Sequence, residues 1–190
     1  VQFGGQTAIN LAASLHDAGV KVFGTSVDDI DRAEDRERFD EVLTQTKIPR
    51  PTGISVTNLE DAITGAAEIG YPVMVRPSYV LGGRGMEIVY DDEHMAQYMT
   101  AAVGVTPDRP ILIDRFLRHA LECEADAISD GTHAYVPAVM EHIELAGIHS
   151  GDSACIIPSK HITPEHLETI KEYTRRIAEE MQIGRASCRG

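Results

Sequence analysis

An apolar, strand-like segment that leads through an arginine into a run of glycines constrains this chain more than any other feature. Residues 73–75 resemble a buried strand, Arg76 follows, and a glycine-rich segment at 78–85 precedes a second strand-like segment at 86–90. Glycine tolerates positive φ and lets backbone N–H groups approach phosphate oxygens closely. The segment lacks the Gly-Lys-Ser/Thr of a Walker A motif and leads into a strand. It therefore predicts either a phosphate-covering loop or an ordinary glycine hairpin with a surface arginine.

The beginning of the chain has the pattern of a βαβ unit. Residues 1–3 are strand-like, a glycine turn follows, and apolar residues at helical spacing predict a helix at 8–18. Gly19 is expected to end this helix, as a C′ glycine does. Residues 20–24 are predicted to be a second strand. This order of elements implies a parallel sheet.

A heavily charged helix is predicted next, at residues 33–46, and Pro49 and Pro51 break it. After the prolines the predicted elements alternate between short strands and helices. The predicted strands cover 53–56, 73–75, 86–90, 111–116, 121–128 and 134–141, and the helices cover 59–69, 92–103 and a long stretch that begins near Thr163. The chain is therefore expected to have an α/β fold.

Composition excludes several classes of function. The net charge of −13 argues against nucleic acid as a partner, because phosphate backbones attract basic surfaces. No apolar run reaches membrane-spanning length, so no membrane partner is expected. The three cysteines have neither zinc-ligand spacing nor a disulfide rhythm, and they fit reduced thiols in the cytoplasm.

Two further segments carry polar chemistry. Glu122, Glu124 and Asp126 alternate along a predicted strand, so they share a face that suits cations, sugar hydroxyls or solvent. Residues 140–153 pass from a strand into a loop rich in His, Ser and Asp. A Ser-His-Asp hydrolase is disfavoured there, because no G-x-S-x-G turn is present.

The last eight residues, 183–190, do not continue the apolar stripe of the final helix. One reverse translation of them resembles sequencing-adapter DNA. We interpret them as a non-native tail, and resequencing the coding DNA across these codons would test this.

Taken in order, several segments resemble the large subunit of carbamoyl phosphate synthetase. They are residues 2–7, 31–39, 76–84 and 142–153, within a likeness that covers 1–182. The segments at 2–6, 78–81 and 86–90 are similar to the second of that subunit's two synthetase halves. The resemblance implies the end of a Rossmann-like pre-ATP-grasp domain at 1–31, followed by a truncated ATP-grasp domain at 32–182.

The implied reaction is the phosphorylation of carbamate by ATP with Mg²⁺ (or Mn²⁺), giving carbamoyl phosphate and ADP. The resemblance assigns phosphate contacts to Arg36 and Arg76, and the loop over the phosphates to Gly82 and Gly83. The other implied nucleotide contacts are Arg115 and Leu117 at the adenine, Glu122 at the ribose, and Gly147, Ile148, His149 and Ser150 in a further loop.

The resemblance also implies groups that this sequence does not contain. The metal ligands, a Gln, a Glu and an Asn, are expected beyond the last helix, so no metal ligand and no complete catalytic set is assigned here. We expect the isolated chain to be inactive and poorly soluble. The implied partners are the rest of the large subunit, a glutamine amidotransferase small subunit and a bicarbonate-derived carbamate, in arginine or pyrimidine biosynthesis.

Two alternatives stay open at this point. The chain could be a non-catalytic nucleotide-binding or structural module. It could also belong to another ATP-grasp ligase, such as biotin carboxylase, although residues 4–7 and 149–152 fit the synthetase better.

Overall fold

The computed structural model describes residues 5–77, 85–103, 110–144 and 153–184. The helices are α1 (Gly5–Asp17), α2 (Val27–Glu34), α3 (Arg36–Gln45), α4 (Leu59–Ile69), α5 (Asp92–Val103) and α6 (Pro164–Glu180). The strands are β1 (Gly53–Val56), β2 (Val73–Pro77), β3 (Glu87–Val89), β4 (Ile111–Arg115), β5 (Cys123–Ala125), β6 (Ile128–Ser129), β7 (Ala134–Tyr135), β8 (Val139–His142) and β9 (Cys155–Ile156). The fold is mixed, with helices and sheets, as the sequence predicts.

The chain divides into two compact units. The first comprises Val1–Pro49, Cys123–Glu141 and Cys155–Gly190, and the second comprises Arg50–Glu122 and His142–Ala154.

A four-stranded sheet forms the centre of the second unit. Its strand order is β1-β4-β2-β3, and each neighbouring pair is antiparallel. Side chains alternate between the two faces of a strand, so one face places Val73, Val75 and Ile113 against α4 and α5. These three side chains are fully buried. The core of the unit therefore lies between this face and the two helices.

Helix α4 packs closely on β1 because it carries a glycine in its middle. A Cβ built on Gly65 would lie 1.8 Å from Cδ1 of Ile54. Asn58 begins the helix by accepting a hydrogen bond from the backbone N–H of Asp61, and Gly70 follows its end at a φ of 89°. Its predicted bounds, and those of α5, are confirmed.

The predicted charged helix at 33–46 is wrong in one respect, because the structure has two helices there. Asp35 adopts an extended backbone with φ −82° and ψ 121°, ends α2 and caps α3 by accepting from the N–H of Arg38. Helix α2 was not predicted, although Ser26 and Asp29 have capping-box spacing; the Ser26 hydroxyl oxygen accepts from the Asp29 N–H. An N-cap aspartate competes well with helix continuation.

The predicted strand at 20–24 is also wrong. The structure describes these residues, and they form no strand; Val20 and Phe23 are exposed. A strand requires a hydrogen-bonded neighbour, and the other half of the predicted βαβ unit, residues 1–3, lies outside the described residues. The predicted C′ glycine is confirmed, since Gly19 has a φ of 78°. The Rossmann-like arrangement stays a prediction.

The first unit contains the remaining sheets and the last helix. Strands β5, β8 and β9 form one sheet and β6 pairs with β7, so the two long strands predicted at 121–128 and 134–141 are each divided in two. Helix α6 begins as predicted, with Pro164 in its first turn and the Thr163 side chain accepting from the N–H of His166. Among the described residues, none of the helices is long and apolar enough to span a bilayer.

Candidate functional site

Arg76 and Asp114 lie on the sheet face opposite α4 and α5, which we call the Arg76 face. In the register of β2 and β4, Met74 pairs with Asp114 and Arg76 pairs with Leu112. Side chains of paired residues lie on the same face, so Arg76 and Asp114 are diagonal neighbours. The Nε of Arg76 lies 3.7 Å from Oδ2 of Asp114, and 43% of the arginine side chain is exposed. The guanidinium is thus held on the sheet and remains accessible to a ligand.

The glycine-rich segment that follows Arg76 starts and finishes at neighbouring points. Residues 78–84, with the candidates Gly82 and Gly83, lie outside the described residues. A Cβ built on Gly85 would lie 3.5 Å from the ring of Pro77. The Tyr98 hydroxyl donates a 2.6 Å hydrogen bond to the Gly85 carbonyl, and Gly85 has a φ of 71°, which favours glycine. Helix α5 therefore anchors the end of this segment beside Pro77, the last residue of β2.

Arg115 and Leu117 flank a cavity at the end of β4. The cavity has a volume of about 300 Å³ and is lined by Gly70, Tyr71, Pro72, Arg115, Phe116, Leu117 and Arg118. Arg115 pairs with Val73, so its side chain lies on the face opposite to that of Arg76. Leu117 is half exposed in the connection after β4. The Arg115 side chain therefore does not share the Arg76 face.

Glu122, at the end of the same connection, is joined to β8. Its carbonyl accepts a 3.0 Å hydrogen bond from the backbone N–H of His142. The predicted loop residues that follow β8, namely Gly147, Ile148, His149 and Ser150, lie outside the described residues. The ends of that stretch are tied together. Glu144 accepts from the Ser153 hydroxyl at 2.8 Å and from the Ala154 N–H at 2.6 Å, and these bonds lower the pKa of Glu144.

The first unit holds a buried carboxylate that sequence reasoning missed. Glu141 is 2% exposed and accepts hydrogen bonds from the backbone N–H groups of His161 and Lys160, at 2.8 Å and 2.9 Å. The Nδ1 of His161 lies 2.5 Å from its other oxygen. The bonds from His161, first that of its backbone N–H, lower the pKa of Glu141 to about 2. This carboxylate holds the turn before α6 on β8.

Arg36 belongs to the first unit, whereas the other four described candidates belong to the second. It is the first residue of α3, directly after the Asp35 cap, and is partly exposed. Arg76, Arg115, Leu117 and Glu122 share one unit, and the first two point to opposite sheet faces.

Divalent cations would require clustered oxygen ligands. Within the described ranges, no group of three or more His, Cys, Asp or Glu side chains could hold a metal ion. The location of the Mg²⁺ ligands beyond the last helix stays a prediction.

The fold described above is similar to that of biotin carboxylases of known structure. The biotin carboxylase domain of Hydrogenobacter thermophilus 2-oxoglutarate carboxylase, solved with MgADP, ADP and bicarbonate, matches 93% of this chain and 40% of its own, with a TM-score of 0.74 and 22% identity. The complex of Campylobacter jejuni biotin carboxylase with beta-gamma-ATP matches 93% of this chain and 41% of its own, with a TM-score of 0.77 and 18% identity. Identities this low establish the fold alone.

Sequence likeness then gives the family. The profile described as "Carbamoyl-phosphate synthase L chain, ATP binding domain" matches residues 35–188, and this chain belongs to that family. The carbamoyl phosphate synthase large chain of Methanothermobacter thermautotrophicus is 58% identical over 184 residues, which are 96% of this chain and 17% of that protein. The chain spans about 17% of the length of the curated relatives it matches. The resemblance inferred from the sequence is confirmed.

Proposed function

We propose that this chain supplies part of a site in which ATP phosphorylates carbamate, giving carbamoyl phosphate and ADP, in a longer large chain. The observation that carries the proposal is the position of Arg76, near the end of β2 and on the sheet face opposite α4 and α5, just before the glycine-rich segment. The identity to carbamoyl phosphate synthase large chains supports this reaction over biotin carboxylation, since the likeness to biotin carboxylases is one of fold.

The residues of this chain suit the nucleotide end of such a site. Arg76 would offset the phosphate charge through charge-assisted hydrogen bonds. The backbone at Leu117 would read the adenine edge, and the Glu122 carboxylate would accept hydrogen bonds from the ribose. Arg115 would act through its main chain, because its side chain is on the other sheet face from Arg76. The proposed nucleotide contacts are completed by Arg36, Gly82, Gly83 and residues 147–150.

Phosphoryl transfer depends mostly on positioning and on charge neutralisation. Carbamate is already an ionised oxygen nucleophile, so no strong general base is required of this chain. Bound Mg²⁺ would neutralise charge on the transferred phosphoryl group; we propose that its ligands follow residue 182. Without them the isolated chain should bind ATP without turnover, because each missing contact of this kind costs ~10²-fold or more in rate.

The rest of the large chain and a glutamine amidotransferase small subunit are the proposed partners, in the cytoplasm, for arginine or pyrimidine biosynthesis. We also propose that the Rossmann-like part of the chain ends at residue 31 and that the ATP-grasp part spans residues 32–182.

Titration calorimetry with MgATP, alongside a coupled ADP-release assay with bicarbonate and ammonia, tests the proposal on the 190-residue chain. We expect ATP to bind, binding to weaken in Arg76→Gln, and turnover to be undetectable. Arg50→Gln is the matched control, because Arg50 belongs to the same unit but precedes β1. If the unchanged chain and the Arg76→Gln variant bind ATP with equal affinity, the assigned site is refuted. Carbamate-dependent turnover would refute the expected inactivity.

A further inference from the structure

We propose that Asp114 is a positioning residue, which orients the Arg76 guanidinium for a nucleoside triphosphate; this inference rests on the proposed function. No residue assigned above has this role. Asp114 lies on β4, the strand between β1 and β2, and its neighbour across the β2 ladder is Met74. From there its carboxylate reaches diagonally to the Nε of Arg76, at 3.7 Å.

The geometry distinguishes the Nε of the Arg76 guanidinium from its two terminal Nη groups. The carboxylate lies at Nε, on the side of the guanidinium nearest the strand. Because the carboxylate contacts Nε, we assign ligand binding to the terminal Nη groups, whose paired donors match phosphate oxygens. An arginine with 43% of its side chain exposed would otherwise sample many rotamers, and binding a ligand would require ordering it first. Asp114 removes part of that entropic cost before the ligand arrives.

A carboxylate near a triphosphate also has an unfavourable effect. Asp114 is 20% exposed in its side chain, and its charge repels phosphate oxygens. The two effects have opposite signs in the Asp114→Asn variant. If positioning dominates, this variant binds ATP more weakly; if repulsion dominates, it binds ATP more tightly. Asparagine keeps the shape of the aspartate side chain, and urea denaturation of the variant checks that the sheet still folds.

The experiment compares ATP and adenosine affinities for the unchanged chain, Asp114→Asn and Asp114→Glu. We expect Asp114→Asn to weaken ATP binding by about three- to tenfold, the cost of ordering one long side chain, and to leave adenosine binding unchanged. Asp114→Glu should restore most of the ATP affinity. Glu87→Gln is the control, because Glu87 also forms an ion pair on this sheet, with His94 at 2.7 Å, on the other side from Arg76.

A second readout follows the ion pair without any nucleotide. The Nε–Hε resonance of Arg76 in a ¹H–¹⁵N spectrum should shift and exchange faster with water in Asp114→Asn, but not in Glu87→Gln. ATP affinity that is unchanged or increased in Asp114→Asn would overturn the inference. If the unchanged chain binds no ATP, the proposed function itself fails, and the phosphate role of the pair fails with it. If the unchanged chain and Asp114→Asn bind ATP with equal affinity, only this inference is refuted and the proposed function stands.

Discussion

The contact between Gly65 and Ile54 allows the packing of α4 on the sheet to be tested quantitatively. In an exposed helix, replacing glycine by alanine stabilises the fold by about 0.8–1 kcal/mol. Here the new methyl group would lie 1.8 Å from Cδ1 of Ile54, so the Ile54 side chain must move against its neighbours. Overpacking of this kind costs about 1–3 kcal/mol. We therefore expect Gly65→Ala to lower the free energy of unfolding by up to about 2 kcal/mol.

Ile54→Val removes the atom responsible for the clash. Ile54 is partly buried, so alone this change should cost no more than the roughly 0.5–1.5 kcal/mol of a buried Ile→Val change. In that background Gly65→Ala should become neutral or stabilising, because the remaining contact with Cγ1, at 3.3 Å, needs only a small adjustment. The double-mutant cycle should thus give a favourable coupling of about 1–3 kcal/mol.

Urea denaturation of the four chains, followed by circular dichroism, measures this coupling. Ile113→Val is the matched control, because Ile113 is fully buried in the same core but has no atom within 4 Å of the built Cβ. A coupling near zero with Ile54, or an equal coupling with Ile113, would show that the helix does not approach β1 in this way.

Three further predictions concern the first unit. Lys47 is exposed and follows α3 with a φ of 56°. Since this conformation strains non-glycine residues, Lys47→Gly should raise the free energy of unfolding by about 0.5–1 kcal/mol, and a lower urea midpoint would contradict this. Asp35→Ala should cost about 1 kcal/mol of unfolding free energy through the lost α3 cap, whereas Asp35→Ser should cost less. The pKa of Glu141 is lowered from 4.5 to about 2, so its stabilising contribution is present above pH 4.5 and disappears as the pH falls towards 2. Urea midpoints should therefore fall more steeply across that range in the unchanged chain than in Glu141→Gln, and parallel pH curves would contradict this.

Local signals in the sequence were sufficient for much of the second unit. Helix α4 has Asn58 as an N-cap and Gly70 after its last residue, and both act through bonds within a few residues. The α2–α3 break depends on an equally local signal, the Asp35 cap, which lay inside a continuous charged pattern. Apolar periodicity alone predicts one helix, because it does not register the Asp35 cap.

The candidate site was less accessible to sequence reasoning. The ion pair of Arg76 with Asp114 depends on β4 lying between β1 and β2, and on an antiparallel register between strands far apart in the chain. The same register shows that Arg115 faces away from Arg76. Neither fact follows from motif spacing, because strand order is decided by packing of the whole sheet.

Hydrogen exchange by mass spectrometry, with and without MgATP, tests most directly whether nucleotide binds at the Arg76 face. We expect slower exchange in peptides from β2, β4 and the connection to Glu122, no change in α6, and loss of the protection in Arg76→Gln. Protection confined to α6, or protection of β2 and β4 that persists in Arg76→Gln, would contradict the proposed site.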